Sequence, residues 1–421
     1  MLAKHSMRRF ARSNQFSLKK ETISERIRNF EYAVRGAVAI RAMEIEREIE
    51  KGVKYPFDKI VHLNIGNPQA LGQKPITFNR EVLACAMYDH QDSNRKHYSK
   101  EAVDRADFYL KSINHRATGA YTDSAGLRSV ISEVKTFLEK RDGTDVDMES
   151  IYLLNGASEG ITILVRLLIQ NDTDGIMIPT PQYPIYSALV TRFGGYQVPY
   201  YLDEENQWGM TEEELETSYQ RAVDNGITVR GIVTINPGNP TGQVLSEKDL
   251  QTVLKFAYDK NIYVLSDEVY QKNIYVDKEF ISMRKALKNL GAPFDDNVEL
   301  TSFHSLSKGL LGECGLRGGF MEVHNTDEYA RQMIYKSKAV NLCSNTLGQI
   351  GVGLMVNPPT QSSVSKTVYD QFESEEKLIF DGLTSRAQLL TKKLNEIEGV
   401  TCNEVEGAMY AFPKIEFPDS Y

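Results

Sequence analysis

Cysteine is scarce in this chain of 421 residues, with only Cys85, Cys314, Cys343 and Cys402. They stand far apart, no pair has metal-ligand spacing, and no HExxH run occurs. Neither a zinc centre nor a disulfide scaffold is indicated, and free thiols in a reducing compartment are expected. Long apolar runs are also missing. "ITILVRLLI" comes nearest and is broken by Arg166, well short of the roughly eighteen residues of a membrane span, so the chain reads as soluble with no membrane partner. Basic charge is in deficit, with 49 Lys and Arg against 57 Asp and Glu and a net charge of -8. That weighs against nucleic acid as a partner, since such binders carry a basic face. No G-x-G-x-x-G marks the first strand–helix turn, which removes a nicotinamide dehydrogenase. Internal repeats and low-complexity tracts are absent too.

What is present is an ordinary globular composition, 41% hydrophobic and 25% charged. The first twenty residues hold six Lys or Arg, three Ser and no acid before Glu21. This is the composition of a mitochondrial presequence, with a disordered basic arm of a cytoplasmic protein as the alternative. Localisation to the mitochondrial matrix follows from the first reading, and to the cytoplasm from the second. The chain divides into residues 1–22 as that presequence or arm, 23–75 as an N-terminal arm and part of a small domain, 76–360 as a large domain, and 361–421 as the rest of the small domain.

Residues 23–52 read as one or two helices ending at Gly52, and "KIVHLNIGNPQ" as a short strand into a Gly-Asn-Pro turn. A regular alternation follows. "ESIYLLNG", "DGIMIPTPQYP", "VRGIVTINPGNPTG", "IYVLSDEVY", "VELTSFHSLSKG" and "RGGFMEV" are strands. "SEGITILVRLLIQ" and "SEKDLQTVLKFAYDKN" are helices, the second with Ser246 as N-cap. From about Val364 the chain is helical and charged again. The fold class is therefore α/β, a mostly parallel sheet with helices on both faces and a smaller second domain. Ligands in such sheets sit beyond the carboxyl ends of the strands. Those ends carry polar residues here: 155–158, 181–183, 236–239, 267–270 and 304–308.

Chemistry can be read from these ends. Lys308, in "SFHSLSKGLLGECGLRGGF", is one amine in an apolar setting. Partial desolvation favours its neutral form, which makes a Schiff base with an aldehyde. Arg317 and Ser305 suit a phosphate, and the "GAS" run, with Ala157 and Ser158, opens a helix whose N–H groups favour the same anion. Asp267 ends a very apolar strand and needs a cation, such as a protonated ring nitrogen. Tyr270 and Asn239 could meet a ring hydroxyl, although Asn239 serves equally as a turn residue. Tyr183 could cover a planar ring or be a core aromatic. Together these groups describe one ligand, pyridoxal 5'-phosphate, whose protonated ring acts as an electron sink.

The ordered set "NPGNPTG", "SDEVY" and "SLSKG…GLRGG" resembles the fold-type I pyridoxal-phosphate aminotransferases. "LNIGNPQALGQKPITFNREVLA", "VPYYLDEENQWGM" and "GAMYAFPKI" narrow the resemblance to the alanine aminotransferases of that family, from about residue 25 onward. The resemblance implies a transaminase moving the amino group of L-alanine to 2-oxoglutarate by a ping-pong mechanism. A glyoxylate-using aminotransferase is the alternative, and a non-catalytic protein on the same fold is the reading from a different class. Lys308 becomes the Schiff-base lysine and proton shuttle, Asp267 the partner of the ring nitrogen, Tyr270 and Asn239 contacts of the ring hydroxyl, and Tyr183 the stacking ring. Ala157, Ser158, Ser305 and Arg317 hold the phosphate. Tyr121 matches a tyrosine lent to the neighbouring subunit's phosphate, which implies a homodimer. Gly66 matches the glycine whose backbone meets the substrate carboxylate. The family's further arginine, which grips that carboxylate, lies downstream of "GAMYAFPKI" and beyond Tyr421. A fragment, or an incomplete small domain with weakened substrate binding, is therefore expected, and comparing this chain with a C-terminally extended form tests it.

Overall fold

Seven strands organise the molecule as one twisted sheet; all but one edge strand are apolar on both sides, so each of those needs a layer above and below. In a computed structural model, which describes residues 18–417 apart from 30, 33, 35, 64, 65, 89 and 90, they are β1 (Ile151–Leu154), β2 (Asp174–Thr180), β3 (Tyr196–Tyr201), β4 (Thr228–Ile235), β5 (Tyr263–Asp267), β6 (Leu300–Ser305) and β7 (Gly319–His324). Their order across the sheet is β1-β7-β6-β5-β4-β2-β3. The pairs from β3 to β6 are parallel, and β7 runs antiparallel to both β1 and β6.

Alternation along each strand sorts the core into two faces. Ile178, Val233, Leu265, Phe303 and Met321 point to one face, under the helices Ala157–Leu168, Ile185–Phe193 and Glu328–Ala339. The other face has two parts. Met177, Val198, Ile232 and Val264 pack under Glu212–Asp224, Glu247–Lys260 and Met283–Leu290. Ile151, Leu153 and Phe320 meet Thr77–Met87, Lys100–Leu110, Arg128–Asp142 and Thr346–Val356.

The six expected central strands and both expected helices are present. Ser246 caps its helix, and Asp249 at the third helical position completes a reciprocal capping box. Residues 23–52 form two helices, Glu25–Arg28 and Ala37–Glu50, with Gly52 at φ 90 just past the second. Two expectations change. "KIVHLN" is not a strand over its described residues, because 59–63 find no ladder partner; Val61 and Leu63 are exposed, and Asn64 and Ile65 lie outside the described residues. β3 is an added strand at the edge of the sheet. Only Val198 and Tyr200 in it are buried, and Pro199 is tolerated because one side of an edge strand needs no donor. Most of the basic N-terminus, residues 1–17, lies outside the described residues.

The charged C-terminal stretch is the long helix Lys366–Asn395, followed by a small hairpin-like pair, β8 (Val400–Thr401) with β9 (Lys414–Ile415). The connecting segment returns to the main sheet: Gly407 N donates to Gly242 O at 2.7 Å, and Tyr275 N donates to Glu406 O at 2.8 Å. That contact brings Tyr410 over the strand ends. Among the described residues no helix is long and apolar enough to cross a membrane, and no cluster of ligating side chains could hold a metal.

Candidate active site

Parallel strands all present their carboxyl ends at one edge, so the residues that terminate β1, β4, β5 and β6 are neighbours there whatever their separation in sequence. β7 enters the same edge from the opposite direction and delivers Arg317 and Gly318 at its start.

Asp267 is the last residue of β5 and is 4% exposed. Its Oδ2 accepts a hydrogen bond from the hydroxyl of Tyr186 at 2.9 Å, and Oδ1 accepts a long one of 3.4 Å from Val269 N. Burial pushes the carboxyl up to about 6; Tyr186, the Val269 N–H and the nearby charge of Lys308 oppose that rise without overcoming it. A carboxylate so placed favours a cation as its neighbour.

Lys308 follows β6 after a turn and extends across the edge. Its Nζ donates to Gly66 O at 2.5 Å. The hydroxyl of Tyr410 accepts from Gly66 N at 3.3 Å and also from the hydroxyl of Tyr270 at 3.2 Å. A Cβ added to Gly66 would lie 3.2 Å from Lys308 Nζ and 2.9 Å from the Tyr410 hydroxyl, so the three groups surround one small volume. Tyr270 is 1% exposed, and burial holds its phenol well above the usual range, as a donor.

A second cluster forms where β1 meets β7. Arg317 sits at φ 54, ψ 59, the left-handed region that a non-glycine residue adopts only when its surroundings impose it. The imposing contacts are explicit. Its Nη2 donates to Asn155 O at 2.9 Å and Ser158 Oγ at 3.3 Å, and its Nη1 donates to Cys314 O at 3.0 Å. Gly156, the N-cap of the helix Ala157–Leu168, lies under the guanidinium at φ 79; a Cβ there would be 2.6 Å from Nη2. The first N–H groups of that helix, including those of Ala157 and Ser158, open toward the same point, where the helix dipole favours an anion. Ser305 is 3% exposed, and its hydroxyl donates to Gly318 O at 3.0 Å and accepts from Ser307 N at 3.1 Å. As placed, Ser305 ties the end of β6 to the turn that carries Arg317.

Tyr183 is half-buried just beyond β2, with its hydroxyl 2.8 Å from that of Tyr32. Asn239 follows β4 in a turn closed by Gly238 N donating to Gln243 O at 2.9 Å. Tyr121 stands apart from this group: its side chain is 71% exposed, beside Thr122, Arg128 and Tyr335 at a surface cavity.

The structure adds Tyr186 and Tyr410 to the site, and it gives Asn155, in the 155–158 strand end, a specific part in it. Tyr186 has a legible signal, since "PQYPIY" places a second tyrosine three residues after Tyr183 at the same strand end. Asn155 is recruited through backbone: its carbonyl accepts from Arg317, and its own N donates to Glu159 Oε2 at 2.6 Å. Tyr410 arrives from 140 residues beyond Tyr270, a separation that no local pattern encodes.

Comparison with known proteins agrees with this geometry. The model of the aminotransferase class I and II family matches residues 82–417. A probable mitochondrial alanine aminotransferase of Dictyostelium discoideum is 45% identical over 412 residues, 96% of this chain and 76% of that protein. Glutamate–glyoxylate aminotransferase 1 of Arabidopsis thaliana is 45% identical over 406 residues, 96% of this chain and 82% of that protein. The solved alanine aminotransferase of Pyrococcus furiosus superposes with a TM-score of 0.71 at 26% identity, covering 94% of this chain and 84% of the other. A match over most of the chain, with strand ends that carry an amine, a buried carboxylate and an anion cradle, makes this chain a member of the class I and II aminotransferases, the pyridoxal-phosphate-dependent transaminases.

Proposed function

We propose that this chain transfers the amino group of L-alanine to 2-oxoglutarate, giving pyruvate and L-glutamate in the two half reactions of a ping-pong cycle. The observation that carries the chemistry is the convergence of Lys308, Gly66 and Tyr410 on one volume beside the buried Asp267. The naming of 39–45% identical relatives as alanine aminotransferases supports the substrates.

The residues fit pyridoxal phosphate on two structural grounds. Asp267 is a buried carboxylate with only neutral donors bonded to it, as a protonated ring nitrogen requires. Gly156 leaves a cradle that a Cβ would fill, between Arg317 and a helix N-terminus. In this reading Arg317, Ala157, Ser158 and Ser305 hold the phosphate, Tyr183 covers the ring, and Tyr270 with Asn239 meets its hydroxyl. When bound, the cofactor supplies the carbonyl carbon that carries the amino group and a ring that accepts the electron pair left at the substrate Cα. Lys308 Nζ takes the proton from that Cα and returns it at the far end of the transfer, a step that needs a flexible amine at close range. The Gly66 backbone meets the substrate carboxylate in this reading.

The second reading, transfer to glyoxylate, is favoured by the equal 45% identity to the glutamate–glyoxylate enzyme. Acceptor preference separates them: alanine with 2-oxoglutarate is expected to give the higher kcat/KM, and a much higher value with glyoxylate overturns the first reading. Adding alanine alone to the loaded protein is expected to change the visible spectrum of the cofactor and release pyruvate; a loaded, folded protein whose spectrum ignores alanine refutes the whole assignment.

Residues 76–360 form the cofactor-binding unit in this proposal, with 23–75 and 361–421 contributing the second. A homodimer with shared sites is proposed from the exposed Tyr121 and from the helix Ala37–Glu50, which buries none of its own residues within one chain. The matrix of the mitochondrion is the proposed location, since the basic N-terminus accompanies a relative with a mitochondrial name.

Gly156→Ala should weaken cofactor binding about tenfold or more, because a Cβ must displace Arg317 Nη2 while the backbone holds an unfavourable φ of 79. Titration of cofactor-free protein with pyridoxal phosphate measures this, and unchanged affinity sinks the cradle.

A further inference from the structure

The helix Ile185–Phe193 is capped by Pro184, so Tyr183 lies just before it and Tyr186 in its first turn, and both belong to the same apolar cluster, Tyr186 within it and Tyr183 packed against it. Tyr186 is fully buried, packed in the core with Ile178, Val233 and Leu265. A buried phenol needs a partner for its hydroxyl, and the partner here is Asp267 Oδ2 at 2.9 Å. The phenol remains protonated, since burial and the Asp267 charge both push it well above its usual range. The two carboxylate oxygens are therefore unequal. Oδ2 is held by a short bond from a rigid donor, whereas Oδ1 has only the 3.4 Å contact from Val269 N.

We infer that Tyr186 is a positioning residue, which fixes Oδ2 of Asp267 so that Oδ1 is presented to the protonated ring nitrogen of the cofactor. The inference rests on the reading that Asp267 is the partner of that nitrogen. The short segment 183–186 then serves the ring twice, with Tyr183 on its face and Tyr186 behind its counter-ion. A charge-assisted bond from a neutral donor also stabilises the ionised carboxylate against burial. Losing it must raise the pH below which the ring nitrogen loses its partner.

The test uses cofactor-free protein and two probes, pyridoxal phosphate and its phosphorylated carbocyclic analogue with C–H in place of the ring nitrogen. Binding of each is followed by fluorescence across pH. In Tyr186→Phe, affinity for pyridoxal phosphate should fall about tenfold, affinity for the analogue should stay unchanged, and the acid limb of pyridoxal phosphate binding should move up in pH. In Asp267→Asn the preference for pyridoxal phosphate should vanish, and adding Tyr186→Phe to it should do nothing more. Equal weakening of both probes, or of neither, overturns the positioning role, since a packing residue does not sense the ring nitrogen. An Asp267→Asn protein that keeps its preference refutes the reading of Asp267, and the role of Tyr186 with it. If Tyr186→Phe does not fold, 3,5-difluorotyrosine placed at position 186 keeps the shape and strengthens the donor. The acid limb should then move down, and an unmoved limb overturns the inference.

Discussion

Replacing Lys308 by alanine lowers kcat for transfer from alanine to 2-oxoglutarate by roughly a thousandfold or more, the scale of a lost proton-transfer group together with its covalent role. The cofactor still binds, because Arg317, Gly156 and the helix N-terminus belong to a separate cluster. Lys308→Arg is expected to fail as badly as Lys308→Ala. Arginine keeps the positive charge beside Asp267 but cannot give up its proton near neutral pH, so charge alone does not rescue the step. Small primary amines added to the alanine variant should restore part of the rate, in proportion to their concentration. Steady-state assays of the three proteins with and without added amine make the comparison. A Lys308→Ala enzyme within tenfold of the natural one refutes the assignment outright.

Asp267→Asn has the second large effect, and it acts in opposite directions on the loaded and cofactor-free protein. With cofactor, the ring nitrogen loses its counter-ion and the rate falls roughly a hundredfold or more, on the scale of other lost electrostatic partners in catalysis. Without cofactor, the sign reverses. The folded pKa of Asp267 is raised from 3.8 to about 6 by burial. A raised folded value means that this group stabilises the fold most below its unfolded pKa, and that the contribution is lost as pH rises through about 6. Between pH 4 and 7 the cofactor-free protein should therefore lose on the order of 3 kcal/mol through this residue. Asparagine does not titrate and can still accept from Tyr186, so the variant should be more stable than the natural protein at pH 7 and equal to it near pH 4. Urea unfolding of both cofactor-free proteins across that range tests the claim. A natural protein whose stability is as flat as the variant's would contradict it. If that pH dependence is found, the site carries an instability that the cofactor relieves, a common trade at catalytic centres.

Much of this is legible in the chain itself. Runs such as "IYVLSD" and "DGIMIP" are apolar on both sides, and only a doubly covered, mostly parallel sheet uses such strands. The polar residues that end those runs, Asp267, Lys308 and the "NGAS" turn, follow the general rule for ligands at the carboxyl edge. Local chemistry alone also identified Ser246 as a cap, because its partners lie within three residues.

Contacts between distant segments were decided by the tertiary structure. β3 was missed because an edge strand needs only one buried face, so its pattern is weak, while "KIVHLN" has strand-like residues over 59–63 but no neighbour to complete a ladder there. Ser305, expected beside a phosphate, also has its hydroxyl bonded to the Gly318 carbonyl, a partner that only the antiparallel arrival of β7 places beside it. Tyr186, Tyr410 and Gly66 gain their meaning from partners 81, 140 and 242 residues away, Asp267, Tyr270 and Lys308. Which groups could do chemistry follows from the chain alone, since reactivity resides in side chains and the strand-end rule is local. Which oxygen of Asp267 is held, where Arg317 is braced and what Lys308 faces were decided by packing, because a hydrogen bond depends on distance in space and not along the chain.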